Sequence, residues 1–412
     1  MAKLVIFEDE GAVDLLPLVY LRPVFSLRCG AGTLLEKVQS LYPREKPVLW
    51  VRDHLREVTR ERYPGFRVNE SSAVESDTVL AVNGRAVLRE KPALKGETGV
   101  FYSGEGLVAV RMEGKQFLEK ARQGVFSFSL SEGQPRKAIK AQIMRYPWDF
   151  VRSNGEEIKR DFEALRKGKP GFLDKRAVVY GKRTEVYVAL GARVEAGVVL
   201  NATAGPIWID KGAVIRGPSV IDGPCYIGPE ARVDGARIRS GVSTGRACRI
   251  AGELDESVLS DYANKHHDGF LGHAYLGEWV NLGAGTTNSD LKNNYGEVVV
   301  YLGGRGVHSH ETKVGCFIGD HTKTAIGTLI NTGAVIGMTS NVFGGDVRKF
   351  LPSFVWGSSQ KYSEHQVDKA IGTAKVVMSR RGAEMSKAYE VAFRRAFEMT
   401  REERRKSVKD WD

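Results

Sequence analysis

Four cysteines in 412 residues are too few and too scattered for a disulfide framework or a zinc ribbon. Cys29, Cys225, Cys248 and Cys316 share no short spacing, so a reducing, cytoplasmic setting is expected. The chain also lacks any apolar run of about 18 residues or more, so no membrane insertion is expected. The opening MAKLVIFEDE passes from a strand-like run straight into acids, without the pattern of a signal peptide. Charge is not scarce, but its usual nucleic-acid companion is. The net charge of +11 comes with no nucleic-acid recognition motif, and nucleic acid is therefore not an expected partner. Phosphorylated small molecules and coenzyme A favour a basic protein too, and a solvated basic surface accounts for the charge equally well.

What is present is a change of period. Residues 1–168 read as α/β. Leu4–Phe7, Val48–Val51 and Val79–Gly84 are short aliphatic strands. Leu34, Leu35, Val38 and Leu41 recur at helical spacing between the first two. Strands alternating with helices predict a mostly parallel, covered sheet. Val100 to Met112 alternates like a hairpin, and the spacing predicts a helix over 154–167, capped by Ser153 or Asn154. From 175 to 356 the repeat becomes six. Ile209, Ile215, Ile221, Ile227 and Val233 are six residues apart, as are Ile318, Thr324, Ile330, Ile336 and Val342. That period fits a parallel β-helix of hexapeptide repeats, each short face giving one inward aliphatic and one corner. A β-sandwich would not hold a fixed period. The register breaks near 234–270, which predicts a projecting loop. Residues 358–412 show apolar spacing of three and four and predict a helical tail.

The most informative stretch is NKHHDGFLGHAYLGEWVNLGAGTTNSDLKNNYG, Asn264 to Gly296. His267 stands five residues before Gly272. Gly283-Ala284-Gly285-Thr286 follows, then Asn294-Tyr295. This order resembles the acetyltransferase half of the bifunctional enzyme family that makes UDP-N-acetylglucosamine. The resemblance implies a left-handed β-helix. Leu15–Lys37, with its Arg22-Pro23 and the Gly30–Gly32 turn, looks like a diverged sugar-1-phosphate nucleotidylyltransferase. The whole layout is most similar to the variant bacterial branch of that bifunctional family.

The resemblance implies acetyl transfer from acetyl-CoA to an amino-sugar 1-phosphate, glucosamine 1-phosphate, coupled to nucleotidyl transfer from a nucleoside triphosphate with Mg²⁺. A homotrimer is also implied. An imidazole titrates near neutrality, so His267, or His266 beside it, is the candidate general base. Asn294 is expected to orient the amine or the acetyl group, and Tyr295 to meet substrate. Lys265, Arg249 and Arg246 are candidates to hold the sugar phosphate. Gly283, Ala284, Gly285 and Thr286 are candidates for the coenzyme and the oxyanion, with Lys323, Ala325 and Thr332 further along the groove. In the N-terminal part Arg22, Arg28, Gly30 and Lys37 are candidate phosphate contacts. Asp9, with Glu8, is the candidate metal ligand.

Three departures stand out. FEDEGAVD replaces the family's Gly-rich phosphate loop, Val24 its lysine, and Asn83-Gly84-Arg85 its Mg²⁺-binding Gly-Asp. Phe270 replaces its tyrosine. Three rival readings remain: a nucleotidylyltransferase for glucose 1-phosphate and dTTP or UTP with a structural β-helix, a non-catalytic nucleotide-sugar sensor, and a zinc enzyme using His273, His308 and His310.

Overall fold

The acidic strand at the N-terminus, Ala2–Asp9, lies inside a mixed sheet in the computed structural model, which describes residues 2–128, 135–165, 168–358 and 361–409. It pairs in parallel with Val48–Trp50 on one side and Thr78–Asn83 on the other. The sheet continues antiparallel through Gly106–Glu113, whose hairpin partner is Gly99–Ser103. α1 (Leu34–Leu41) starts at a capping box in which Thr33 and Glu36 satisfy each other's backbone N–H. α2 (Arg56–Arg62) and α3 (Gly114–Lys120) are short.

α4 begins earlier than the expected 154–167, whose last two positions lie outside the described residues. It runs Pro147–Leu165, because Pro147 suits a first helical position and Asp149 accepts from the Arg145 and Tyr146 N–H groups. Asn154 is no cap but a fully buried tie. Its side chain accepts from Gly30 N at 2.6 Å and donates to Gly241 O at 2.8 Å.

Coil strands follow from Phe172–Leu173 to Val355–Ser358. They form a left-handed parallel β-helix. One of its faces is a nine-stranded sheet packed towards the N-terminal part. The six-residue set Ile209, Ile215, Ile221, Ile227 and Val233 is fully buried, as the inward slot of each face requires. No loop projects over 234–270. The coils there are shorter: Val233 pairs with Ile250 and Ile250 with Lys265, steps of 17 and 15 residues, against 18 from Ile215 to Val233. The excursion comes later, between Thr287–Asn288 and Phe317–Ile318, and contains the hairpin Val299–Leu302 with Arg305–His308.

The tail is helical as expected: α5 (Val367–Ser379), α6 (Lys387–Met399) and α7 (Arg401–Lys409). One buried apolar cluster contains Leu21 and Phe25 of the N-terminal part, Tyr275 and Phe317 of the coil, and Phe393 of α6. A second fills the coil interior. Among the described residues no helix is long and apolar enough to cross a membrane.

Candidate functional site

The coil gives successive corners along one edge at His266–Gly269, Gly283–Thr286 and Ala325–Thr328. Gly285 N donates to Asp268 O at 3.0 Å, and Gly327 N to Ala284 O at 2.7 Å. Stacked strands lie about 4.8 Å apart, so the three corners span roughly 10 Å. The expected base and five of the expected coenzyme residues, Gly283 to Thr286 and Ala325, are thereby brought together. Glycine is needed at Gly283, where a Cβ would sit 2.6 Å from the Ala325 backbone.

The two histidines differ in their ties. His266 Nε2 lies 2.8 Å from Asp234 Oδ2, and Asp234 is also 3.0 Å from the Arg216 guanidinium. His267 is exposed, and its imidazole makes no hydrogen bond or ion pair among the described residues. Its one ring contact is with His266, centroids 5.5 Å apart. Asp234 was invisible to sequence reasoning, since 32 residues separate it from His266.

Other expectations need correction. Lys265 takes an inward slot of the coil, where Ile250 and Leu282 are its neighbours. Its ammonium donates to Ala251 O at 3.2 Å and to His267 O, and it is 1% exposed. Burial lowers its pKa to about 8, partly offset by Asp268. It braces the corner from inside and cannot meet a phosphate outside. Nor do the Gly283 and Gly285 N–H groups point to an oxyanion. Gly283 N donates to Thr324 O at 3.1 Å, and Gly285 N is held by Asp268. Thr286 is buried with its hydroxyl 2.8 Å from that of Thr324. Asn294 and Tyr295 lie on an exposed turn of the excursion, where Asn294 Oδ1 accepts from Gly296 N at 3.1 Å. Thr332 pairs with Ser289 at 2.7 Å, off the edge that carries His267. Lys323 and Ala325 sit at opposite ends of one short face.

Within one copy of the chain, His273, His308 and His310 are not gathered around a common point among the described residues. Among the described residues no group of three or more His, Cys, Asp or Glu is placed to hold a metal. His273 is instead clasped by Asp290 at 2.8 Å and Glu256 at 3.4 Å. Burial alone would depress its imidazole, but the hydrogen bonds to Asp290 and Glu256 prevail and raise it to about 9.

In the N-terminal part nearly every expected phosphate or metal contact is already engaged internally. Asp9 accepts from Arg85 at 2.5 and 2.8 Å and from Asn83 Nδ2 at 2.8 Å. Gly11 leaves room for that guanidinium, which a Cβ would meet at 2.3 Å. Glu8, fully buried, takes Arg52 and the N–H of Val24. These carboxylates do not fit Mg²⁺, because their oxygens already face cations. Lys37 Nζ lies 2.6 Å from Asp161 and 2.9 Å from Glu157. Arg22 is buried against Asp320 at 2.6 Å and Glu278 at 3.3 Å, where Glu278 also meets Arg62 at 2.7 Å. Burial raises Asp320 to about 6 despite Arg22. Burial would raise Glu278 as well, but Arg22 and Arg62 hold it down near 2. The Gly30 N–H is taken by Asn154. Arg28 is half-buried over the Tyr226 ring, 5.3 Å from its centroid, and donates to Ala31 O.

Comparison with known proteins matches both parts. A family model described as sugar nucleotidyl transferase covers residues 4–170. The bifunctional protein GlmU of Bartonella quintana is 24% identical over 306 residues, covering 66% of this chain and 65% of that protein. A bifunctional sugar-1-phosphate nucleotidylyltransferase/acetyltransferase of Sulfurisphaera tokodaii is 35% identical over 95 residues, 23% of this chain and 24% of its own. Among solved structures, a UDP-N-acetylglucosamine acyltransferase shares 15% identity over 54% of this chain and 86% of its own, at a TM-score of 0.27, too low to establish a common shape. The chain thus matches just under two thirds of the first of these curated relatives and about a quarter of the second. Residues 4–170 thus match the sugar nucleotidyl transferase family, and the chain as a whole is similar to the GlmU-like bifunctional sugar nucleotidyltransferase/acetyltransferases.

Proposed function

We propose that the chain is a transferase of nucleotide-sugar synthesis whose coil acetylates the amine of glucosamine 1-phosphate from acetyl-CoA, with His267 as general base. The observation that carries this reading is the contrast at one corner. His266 is fixed by Asp234, while His267 has a free imidazole beside the Gly283–Thr286 and Ala325 corners. The neutral amine attacks the thioester carbonyl carbon, and a C–N bond forms. The imidazole takes the amine proton, the C–S bond breaks, and the coenzyme leaves as a thiolate that collects a proton. The bonds within the three corners fix the backbone around His267, so little reorganisation is needed as the amine arrives. The homotrimer is proposed on the family resemblance, with Asn294, exposed on the excursion, as the residue a neighbouring copy would present to this edge.

Nucleotidyl transfer that yields UDP-N-acetylglucosamine is the companion proposal for residues 1–168, supported by the family match. No step is routed through Asp9 or Glu8. The internal pairing of Asp9, Glu8, Lys37 and Arg22 favours a second reading of this part, a nucleotide-sugar sensor without turnover. Production of pyrophosphate from UTP and N-acetylglucosamine 1-phosphate separates the two.

The deciding test is thiol release from acetyl-CoA with glucosamine 1-phosphate. Release should require the sugar phosphate and fall by about 10²-fold or more in His267→Ala, the scale of losing a general base. A folded protein that releases no thiol would end the acetyltransferase reading.

A further inference from the structure

A second site lies at the other end of the same coil face. A cavity of about 390 Å³ opens between the coil and the C-terminal end of α5. Four cations line it: Arg249 and Lys323 from the coil, Arg380 and Arg381 from just beyond α5. No aspartate or glutamate does. Among the described residues none of the four has a carboxylate within ion-pair distance, although many other arginines in the chain do. The acid nearest in influence to Arg249, Asp234, is already shared by Arg216 and His266. Lys323 Nζ donates only to His321 O at 2.9 Å, and Arg381 to Ala247 O at 3.0 Å. Each keeps N–H groups for something else.

Like charges gathered in a half-buried cavity repel one another, and the apo protein bears that repulsion. Burial pushes Lys323 down to about 8. Burial and then Arg381 and Arg232 lower Arg249. Two further groups narrow the ligand. The side-chain oxygen of Asn264 is buried without a donor, so it calls for a hydroxyl or amine. Trp279 lines the cavity, its ring stacked on Tyr262 at 4.0 Å and 5°, and supplies an apolar edge.

We propose that this cavity binds a phosphate ester with at least two negative charges and a hydroxyl-bearing sugar, with Arg249, Lys323, Arg380 and Arg381 as the phosphate contacts and Asn264 as the hydroxyl acceptor. Asn264 lies three residues from His267 along the coil, roughly 10 Å of extended chain. The cavity and the proposed base thus lie at opposite ends of one face, and binding in the cavity is read without acetyl transfer. A nucleotide, such as the phosphorylated adenosine portion of a coenzyme, and a sugar nucleotide share this chemistry.

Binding is read directly, without turnover, by titration calorimetry on the full chain at low salt. The probes are inorganic pyrophosphate, adenosine 3′,5′-bisphosphate and UDP. Pyrophosphate should bind, and the Arg249→Gln/Arg380→Gln double variant should weaken it by roughly tenfold or more, the scale of lost charge-assisted bonds. Without ligand, that variant should melt at the same temperature as the parent or higher, because it removes repulsion. Of the two nucleotides, the one that binds tighter than pyrophosphate and is displaced by it names the source. The proposal is overturned if none of the probes binds at millimolar concentration, or if binding is unchanged in the variant. It is equally overturned if the variant dissociates an oligomer, measured by light scattering, while anion affinity holds. In that case a neighbouring copy supplies the missing acids.

Discussion

The charged motif residues of the N-terminal part and a few titratable residues of the coil sit in opposite settings. In the N-terminal part, Asp9, Glu8, Lys37 and Arg22 all face a partner of opposite charge within the chain. In the coil, His267, Lys323 and Arg249 have no such partner among the described residues. A motif-bearing residue that is buried and paired holds the fold. One that is accessible and unpaired is available for chemistry. The same residue types at family positions therefore carry different meanings in the two regions.

The comparison breaks most visibly if His267 proves structural. His267→Ala should lower acetyl transfer by about 10²–10⁴-fold while the melting temperature stays put, since nothing is bonded to its ring. A matching loss of stability in thermal melts would place His267 with the paired residues instead. Next in size is Arg22→Met. Removing one member of a buried ion network leaves Glu278 and Asp320 underpaired and should cost about 3–5 kcal/mol in urea unfolding. A change under about 1 kcal/mol would mean that the network behaves like a surface pair.

The clasp of His273 gives a pH signature. Its folded pKa, near 9, lies above the ordinary value of about 6.5. The stability it adds is complete below that ordinary value and is lost as pH rises through about 9. Melting temperature should therefore fall between pH 7.5 and pH 10 by more in the parent than in His273→Asn. The smallest effect is expected from Phe270→Tyr, which restores the family's hydroxyl. It should lower KM for the sugar phosphate about threefold, the scale of one hydrogen bond, with kcat little changed. An unaltered KM would remove position 270 from the substrate surface.

Much of this was legible from the chain. The six-residue period announced the coil because its inward slots demand aliphatic side chains, and Ile209 to Val233 obey that demand. The His267–Gly283 relation was legible only through the family resemblance, and the coil then sets both residues on neighbouring corners. Three things were hidden. The 15- and 17-residue coils erase the period, so 234–270 reads as a loop when it is wall. Lys265 occupies an aliphatic slot, and no pattern rule expects an ammonium there. The ion partners are remote, with Lys37 and Asp161 separated by 124 residues, so an acid or base in a motif cannot be seen to be engaged until the chain folds.

The junction at Glu278 and Asp320 carries a consequence for how the molecule comes apart. The two acids belong to the coil and their cations, Arg22 and Arg62, to the N-terminal part, while Tyr389 of α6 reaches His321 at 2.9 Å beside them. Neither part can unfold first without leaving buried charge stranded in the other. Heating should therefore drive one cooperative transition through sheet, coil and tail together. A deletion at either end would be felt at the far corner of the molecule, much as pulling a keystone loosens both limbs of an arch.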